Sequence, residues 1–329
     1  MTTPSKVLVT GGAGFIGSHL VEALLQQGRS VAVIDNFDNF YTPALKHANV
    51  QEIEHAGSVR WHEVDIRDYD AVHAVFQQEE PDVVVHLAAR AGVRPSIEQP
   101  ALYHAVNVAG TLNILVLAQA FKVKKFIFGS SSSVYGAVSR SPFAEDQVNM
   151  KPISPYAATK LCGELFCYTY SHLYHLSAIC LRFFTVYGPR QRPDLAIRKF
   201  TDLMMAGKPI PIFGDGNSGR DYTYVDDIVS GILAAIDYEA VFEIFNLGNS
   251  NPVRLIDMVR TLEKVTGYRA LLDFLPPQAG DVPYTCADLS KSRQLLGYDP
   301  QTSLQAGLEK FWTWYQETPL KVAPRTASR

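Results

Sequence analysis

The sequence predicts an α/β fold, a doubly wound parallel sheet followed by a smaller mixed α/β C-terminal domain. Short strands that are apolar throughout alternate with helical stretches over the first half of the chain. Strands of that kind are buried on both faces, as in a parallel sheet covered by helices. A glycine-rich turn joins the first strand to the first helix. After about residue 183 the alternation stops, and prolines, glycines and arginines crowd into residues 187–220.

The elements follow in order. Lys6–Thr10 is a short apolar strand, and Gly11-Gly-Ala-Gly-Phe-Ile-Gly17 turns the chain. Residues 18–27 have helical spacing through Leu20, Leu24 and Leu25 and stop at Gly28. Residues 31–35, 59–64, 82–86, 125–129 and 176–182 supply five more strands. Helices are expected over about 103–121 and from Tyr156 onward. Parallel neighbours require right-handed connections. Beyond residue 183, residues 225–236 read as a helix, 244–247 as a strand and 255–267 as an amphipathic helix. The expected division is a first domain over 1–182, with 221–250 returning to it, and a second over 183–220 and 251–329. The tail after Thr318 is expected to be mobile.

Composition narrows the function classes. The chain has 329 residues, 47% of them hydrophobic and 19% charged, with a net charge of -3. That suffices for a full core and offers no basic footprint for nucleic acid. The four cysteines, Cys162, Cys167, Cys180 and Cys286, lack C-x-x-C spacing, so thiols are expected rather than a metal site or disulfides. The chain reads as having no signal peptide and no apolar run of spanning length, hence as cytoplasmic.

Residues 11–17 satisfy G-x-x-G-x-x-G and, from Gly12, G-x-G-x-x-G. With a strand before and a helix after, this is the context of a Rossmann-type dinucleotide site. Glycines let the backbone approach a pyrophosphate, and the helix N-terminus offers free N–H groups. Gly11, Gly14, Phe15, Ile16 and Gly17 are the expected contacts. Asp35, with Asn36 beside it, lies eighteen residues beyond Gly17. A carboxylate there binds the adenosine ribose and repels a 2′-phosphate, which favours NAD over NADP. Asp65 and Ile66 follow the third strand, where an adenine would lie. Leu87, Ala88 and Ala89 follow the fourth, where small residues would let a cofactor pass. Gly214-Asp-Gly-Asn-Ser-Gly219 also fits the glycine pattern, but Pro209 and Pro211 precede it and no βαβ unit encloses it, so it reads as a turn.

Tyr156 and Lys160 stand four residues apart and share one helix face. A lysine beside a phenol is expected to lower its pKa, so that it can take a proton from a hydroxyl while hydride leaves the carbon. Ser130 to Ser133 follow the fifth strand, at the carboxyl end where such sheets bind ligands. A serine hydroxyl there could relay the proton.

These features together resemble the extended short-chain dehydrogenase/reductase family of nucleotide-sugar enzymes. The likeness runs through GGAGFIG at 11–17, Asp35, HLAA at 86–89, Asn107, SSSSVYG at 130–136, PYAATK at 155–160 and RDYTYVDD at 220–227. It implies a catalytic group of Ser131, Tyr156 and Lys160, an Asn107 that supports the lysine through the backbone or a water, and a homodimer joined through the helices at about 103–121 and 156–172. The family's 4,6-dehydratases resemble T-D-E-V-Y-G in the serine loop, and its uronate decarboxylases T-S-E-V-Y-G. Ser132 and Ser133 stand at those positions here, which disfavours elimination and favours epimerisation.

The run Arg182-Phe-Phe-Thr-Val-Tyr-Gly-Pro-Arg-Gln-Arg-Pro193, with AGVR at 91–94, FNLGNSNPV at 245–253 and GDVPYTCAD at 280–288, looks like the branch of that family that acts on UDP-glucuronate. The expected substrate is therefore a UDP-sugar. Arginine suits its carboxylate, and Arg192 is the first candidate, with Ser132 and Thr185 as hydroxyl partners. Ser133, Arg94 and Asp281 complete the expected substrate set, with Arg220 matching the family's pyrophosphate arginine. Gln278 stands where many relatives carry a second phosphate arginine. No metal is expected. Epimerisation of UDP-glucose or UDP-N-acetylglucosamine is a nearby alternative, and a non-catalytic NAD-binding sensor on the same fold is one of another class.

Overall fold

In a computed structural model the chain is described over residues 5–136, 141–147, 150–277, 282 and 284–318. Gln278, Asp281 and the tail after Thr318 lie outside the described residues.

Seven parallel strands form the central sheet. Along the chain, β1 is Lys6–Thr10, β2 Ser30–Ile34, β3 Arg60–His62, β4 Val83–His86, β5 Lys125–Ser131 and β6 Ser177–Phe183, and the seventh strand is Phe242–Leu247. In space the order runs from the seventh strand through β6, β5, β4, β1 and β2 to β3. The order reverses between β1 and β4, so their carboxyl ends open a crevice between the helices of the two faces. The sequence predicts this doubly wound sheet. It does not predict the helices Pro43–Ala56 and Tyr69–Glu79, which carry the crossovers from β2 to β3 and from β3 to β4. In the latter, Asp68 caps the N-terminus by accepting from the Ala71 N–H at 3.0 Å.

Two apolar cores cover the sheet. One holds Val7, Val9, Leu20, Val21, Ile127, Ile179 and Phe245, and it continues into the C-terminal region through Tyr187, Ile212, Met258 and Phe311. The other holds Leu8, Ile34, Phe76, Ile114, Leu117, Phe126 and Cys180. The helix Val225–Asp237 packs on the helix Phe15–Gln26, and Phe242–Leu247 pairs with β6 at the sheet edge. Three two-stranded sheets build the rest: Thr185–Tyr187 with Tyr222–Tyr224, Pro209–Phe213 with Leu271–Leu275, and Gly219–Arg220 with Val253–Arg254. The second glycine run is a turn, with Gly214 and Gly216 at φ of 79° and 78°.

One expectation needs correction. The helical stretch Pro100–Ala120 is long and apolar enough to cross a membrane by length and composition. Here it is a core helix, with Tyr103, Ile114, Leu115, Leu117 and Ala118 buried inside the protein. Nor is it one regular helix, because Ala105–Gly110 winds as a π-helix around Asn107. Cys167 and Cys180 are buried, Cys162 and Cys286 are half-buried, and all four are free thiols.

Candidate active site

One cleft at the carboxyl ends of β1, β2, β4 and β5 gathers most of the expected residues. Its wall includes Gly11, Gly14, Asp35, Leu87, Tyr156 and Lys160. The glycine turn shapes its floor. Gly11 has φ of 75°, and a Cβ on it would stand 2.8 Å from the Ala88 backbone nitrogen. A side chain on Gly17 would overlap the Gly11 carbonyl oxygen. The helix Phe15–Gln26 begins at Gly14 without a side-chain cap, so the N–H groups of its first turn are left for a ligand. Arg90 adds a buried Nε that has no acceptor among the described residues. Orphan donors around a glycine floor fit an anionic pyrophosphate.

Asp35 is buried just past the end of β2. Its oxygens accept from the Ala13 N–H at 3.2 Å, the Phe37 N–H at 2.9 Å and Lys46 Nζ at 3.1 Å. A carboxylate has about four acceptor positions, so a ribose hydroxyl can still be met. Lys46 carries no local sequence signal, and it offsets part of the negative charge counted on to reject a 2′-phosphate. Asn36 and Asp65 also line the cleft, and the Asn36 amide donates to Asp65 at 2.8 Å. Arg67 forks onto Asp65 and holds its carboxyl down at about 2. Ile66 lies on the wall and packs so closely on Gly110 that a Cβ there would come within 2.7 Å.

Beneath Ala88 a chain of hydrogen bonds fixes the protonation of His86. Thr111 Oγ1 donates to the Asn107 carbonyl at 2.6 Å, so it can only accept from His86 Nε2 at 2.9 Å. Nδ1 is then the acceptor for Thr10 Oγ1 at 2.7 Å, and Thr10 in turn accepts from the Ala88 N–H at 3.1 Å. Burial, aided by the Lys160 charge, depresses His86 to about 3. A neutral imidazole thus ties the Ala88 loop to the π-helix.

Asn107 lies at the centre of the π-helix, where its side chain makes three hydrogen bonds. Its amide oxygen accepts from the Arg90 N–H at 2.8 Å, and its amide nitrogen donates to the Arg90 carbonyl at 2.9 Å and to Thr159 Oγ1 at 3.0 Å. It grips the loop after β4 and Thr159, the neighbour of Lys160. The π-helix turns this side chain out of the regular ladder, a use such bulges often have at functional sites.

The helix Pro155–Tyr174 starts where the sequence dictates. Ser154 caps it by accepting from the Ala157 N–H at 3.2 Å, and Pro155 opens its first turn. Gly163 lets it approach β5, since a side chain there would overlap the Phe128 ring. One face then staples β5 at consecutive residues. Lys160 Nζ donates to the Gly129 carbonyl at 2.6 Å, and Ser130 Oγ donates to Glu164 at 2.5 Å. Glu164 is also held by the buried Arg182, from Nε at 2.9 Å and Nη2 at 2.8 Å.

Ser131 comes next on β5. Its Oγ accepts from the Ser133 N–H at 3.2 Å and from Ser133 Oγ at 2.9 Å, so its own proton is free to be donated. Burial pushes the Tyr156 phenol above its ordinary value, opposed by the hydrogen bond with Ser131 and then by the Arg192 charge. Lys160 lies one turn further along the same helix, with its ammonium directed at the end of β5. Its ammonium, bonded to Gly129, lies over the Phe128 ring at 5.1 Å. Burial lowers Lys160 to about 8, against Cys167 and Glu164.

Arg192 reaches the same cleft as Tyr156. Asp194 holds it side-on, from Nε at 2.9 Å and Nη2 at 3.0 Å. Its loop is anchored on the nucleotide helix, with His19 bonded to the Pro189 carbonyl at 3.1 Å and Arg190 to Glu22 at 2.7 Å.

With this geometry in view, the comparisons with known proteins are specific. The model of the NAD dependent epimerase/dehydratase family matches residues 7–248. The chain belongs to that family. Among its similar members is the UDP-glucuronate 4-epimerase of Thermodesulfobacterium geofontis, 42% identical over 94% of this chain and 96% of the relative. The structure of UDP-glucuronic acid 4-epimerase from Bacillus cereus, in complex with UDP-glucuronic acid and NAD, is 40% identical with a TM-score of 0.89, covering 95% of this chain and 99% of that one. The UDP-glucose 4-epimerase of Thermotoga maritima with UDP-glucose is 35% identical with a TM-score of 0.88, covering 95% and 99%.

The remaining residues expected at the substrate are not part of the wall of this cleft. Ser132 and Ser133 wind a short 3-10 turn after β5. Thr185 opens the strand beside Tyr222–Tyr224. Arg94 lies over the Phe213 ring at 4.8 Å. Arg220 pairs across to Val253 and donates to the Gly219 carbonyl at 3.0 Å. Sequence reasoning missed Asp38, Phe40, Tyr41, Lys46 and Arg90, all on the cleft wall. Arg90 alone had a signal, its place directly after HLAA.

Proposed function

We propose that the chain is an NAD-dependent isomerase that interconverts UDP-glucuronate and UDP-galacturonate by inverting C-4 through a transient 4-keto sugar. The observation that carries the reading is the meeting of Arg192 with Tyr156 in one cleft, beside a serine loop that has no carboxylate. The likeness to UDP-glucuronate 4-epimerases over nearly the whole chain supports it.

Gly11, Gly14, Phe15, Ile16 and Gly17 would hold the pyrophosphate, Asp35 and Asn36 the adenosine ribose, and Asp65 with Ile66 the adenine. Leu87, Ala88 and Ala89 would border the nicotinamide half. Bound there, NAD would supply a hydride acceptor and then a hydride donor for C-4, and a positive charge that favours the Tyr156 phenolate. Tyr156 takes the 4-OH proton, and Ser131, which donates to the phenolate beforehand, can then turn its proton to the resulting oxygen. Lys160 acts through Gly129, fixing the end of β5 that carries Ser131. The keto sugar then turns about its link to UDP, and Tyr156 gives the proton back on the other face.

The intermediate is a β-keto acid, which loses CO₂ when its carboxylate stands orthogonal to the ketone. Arg192, already charge-balanced and oriented by Asp194, would hold that carboxylate out of the reactive geometry, with Ser132, Ser133 and Thr185 as hydroxyl partners. Arg94 and Asp281 remain proposed substrate contacts, and Arg220 a proposed contact to the pyrophosphate. Residues 183–220 and 251–329 would form the substrate domain, with 221–250 belonging to the first.

Leu165, Tyr168, Leu173 and Tyr174 are exposed on the helix Pro155–Tyr174, which supports a homodimer through that face. Sedimentation of a monomer at micromolar concentration would contradict it. The four free thiols suit a reducing compartment and support the cytoplasm as its place of work; a cell fractionation that finds the protein outside would overturn this.

The test is to incubate purified protein with UDP-glucuronate, without added cofactor, and follow the sugar by proton NMR. Appearance of UDP-galacturonate is expected. Turnover of UDP-glucose with none of the uronate would reject the substrate, and turnover of neither would reject the activity.

A further inference from the structure

The segment 36–41 leaves the end of β2 and runs along the cleft before the helix Pro43–Ala56 begins. It is fastened along its length. Asn36 donates to Asp65 at 2.8 Å, the Phe37 N–H to Asp35 at 2.9 Å and the Phe40 N–H to Asp38 at 2.8 Å. Phe37 stacks on His47 with ring centres 4.6 Å apart, and Lys46 lies 5.6 Å from the Tyr41 ring centre. At its far end Phe40 meets two guanidinium groups. Arg90 lies over its ring at 5.2 Å and Arg192 at 5.7 Å.

These arginines come from separate walls. Arg90 follows β4 and has its backbone gripped by Asn107. Arg192 sits on the loop that His19 and Arg190 anchor to the nucleotide helix. Each is balanced by its own carboxylate, Arg90 by Asp38 and Arg192 by Asp194. Weakly hydrated guanidinium planes stack well on an aromatic face, and more strongly where water is thinned out. All of Asp38, Phe40, Arg90 and Arg192 line the same cleft as Gly11, Asp35 and Tyr156.

We propose that Phe40 is a positioning residue that bolts the 36–41 strap to both arginines and keeps the dinucleotide in its cleft between the two hydride transfers. The inference rests on the proposed epimerase reading. A reaction with no net redox change needs the same cofactor molecule for both halves. If the cofactor left midway, the sugar would be stranded as a ketone. Arg192 would serve twice, at the substrate carboxylate and as one anchor of the strap.

The test compares wild type with Phe40→Ala, Phe40→Leu and Phe40→Tyr. Bound NAD per chain is measured by chromatography after denaturation, and its release by exchange against excess deuterated NAD. Two contacts of this kind predict release faster by about ten- to a hundred-fold in Phe40→Ala. Phe40→Leu keeps apolar bulk without the π face and should also release fast, which guards against a misfolded alanine variant. Phe40→Tyr keeps the ring and should stay near wild type. Both fast variants should need added NAD for full turnover and regain it at saturation. Wild-type exchange in Phe40→Leu, or equal loss in Phe40→Tyr, overturns the proposal while leaving the epimerase reading intact. A wild type that binds no NAD would sink the cofactor site itself.

Discussion

Replacing Ser131 by Ala should move the pH dependence of turnover. Tyr156 must be a phenolate to take the sugar proton, yet burial raises it, and its hydrogen bond with Ser131 is the larger of the two opposing effects. Ser131 can donate because Ser133 fills its acceptor positions at 3.2 and 2.9 Å. A hydrogen bond to a charged group contributes about 1.5–3 kcal/mol, which is about one to two pKa units. Removing the donor disfavours the charged form, so the tyrosine pKa rises and the ascending limb of kcat/KM shifts to higher pH. Below that limb the rate should fall about ten- to a hundred-fold, and the loss should shrink as pH rises. Initial rates with UDP-glucuronate from about pH 6 to 10, read by chromatography of the two uronates, check this. An equal loss at every pH, with the limb unmoved, would refute the assignment of Ser131 as the phenolate's donor.

Other perturbations test other parts. Arg192→Ala should weaken uronate binding or release a UDP-keto-pentose, detectable by mass spectrometry. Unchanged turnover without pentose would remove Arg192 from the carboxylate. Arg182→Met leaves Glu164 buried without its partner, which should cost about 3–5 kcal/mol in urea unfolding; a loss under about 1 kcal/mol would mean that Ser130 and water suffice. His86 gives a pH signature of stability. Its folded pKa is depressed to about 3 from 6.5, so below about pH 6.5 only the unfolded chain takes up the proton. Its stabilisation, complete above that pH, is therefore lost as pH falls, by about 1.4 kcal/mol per unit. His86→Gln should flatten the stability curve between about pH 6.5 and 5 by that slope. Parallel curves for the two proteins would contradict a buried neutral imidazole.

Much of the fold was legible because its signals are local. The glycine turn, the all-apolar strands and the Ser154–Pro155 start each act within a few residues, and together they require a parallel sheet with a dinucleotide crevice. The sequence by itself therefore determined the sheet, the cofactor turn, Asp35 and the Tyr156–Lys160 pair. Only the tertiary structure decided which groups act on which. Lys160 was expected beside the phenol, and the structure adds its bond to the Gly129 carbonyl, the Ser131 hydrogen bond to the phenol and the Arg192 charge that favours its ionised form. Asn107 grips Arg90 because a π-helix turns it there. Lys46 meets Asp35, and Arg90 and Arg192 meet over Phe40, because the strap and two loops from different strands converge at one end of the sheet. Burial and charge at a distance depend on that convergence. No spacing along the chain encodes it.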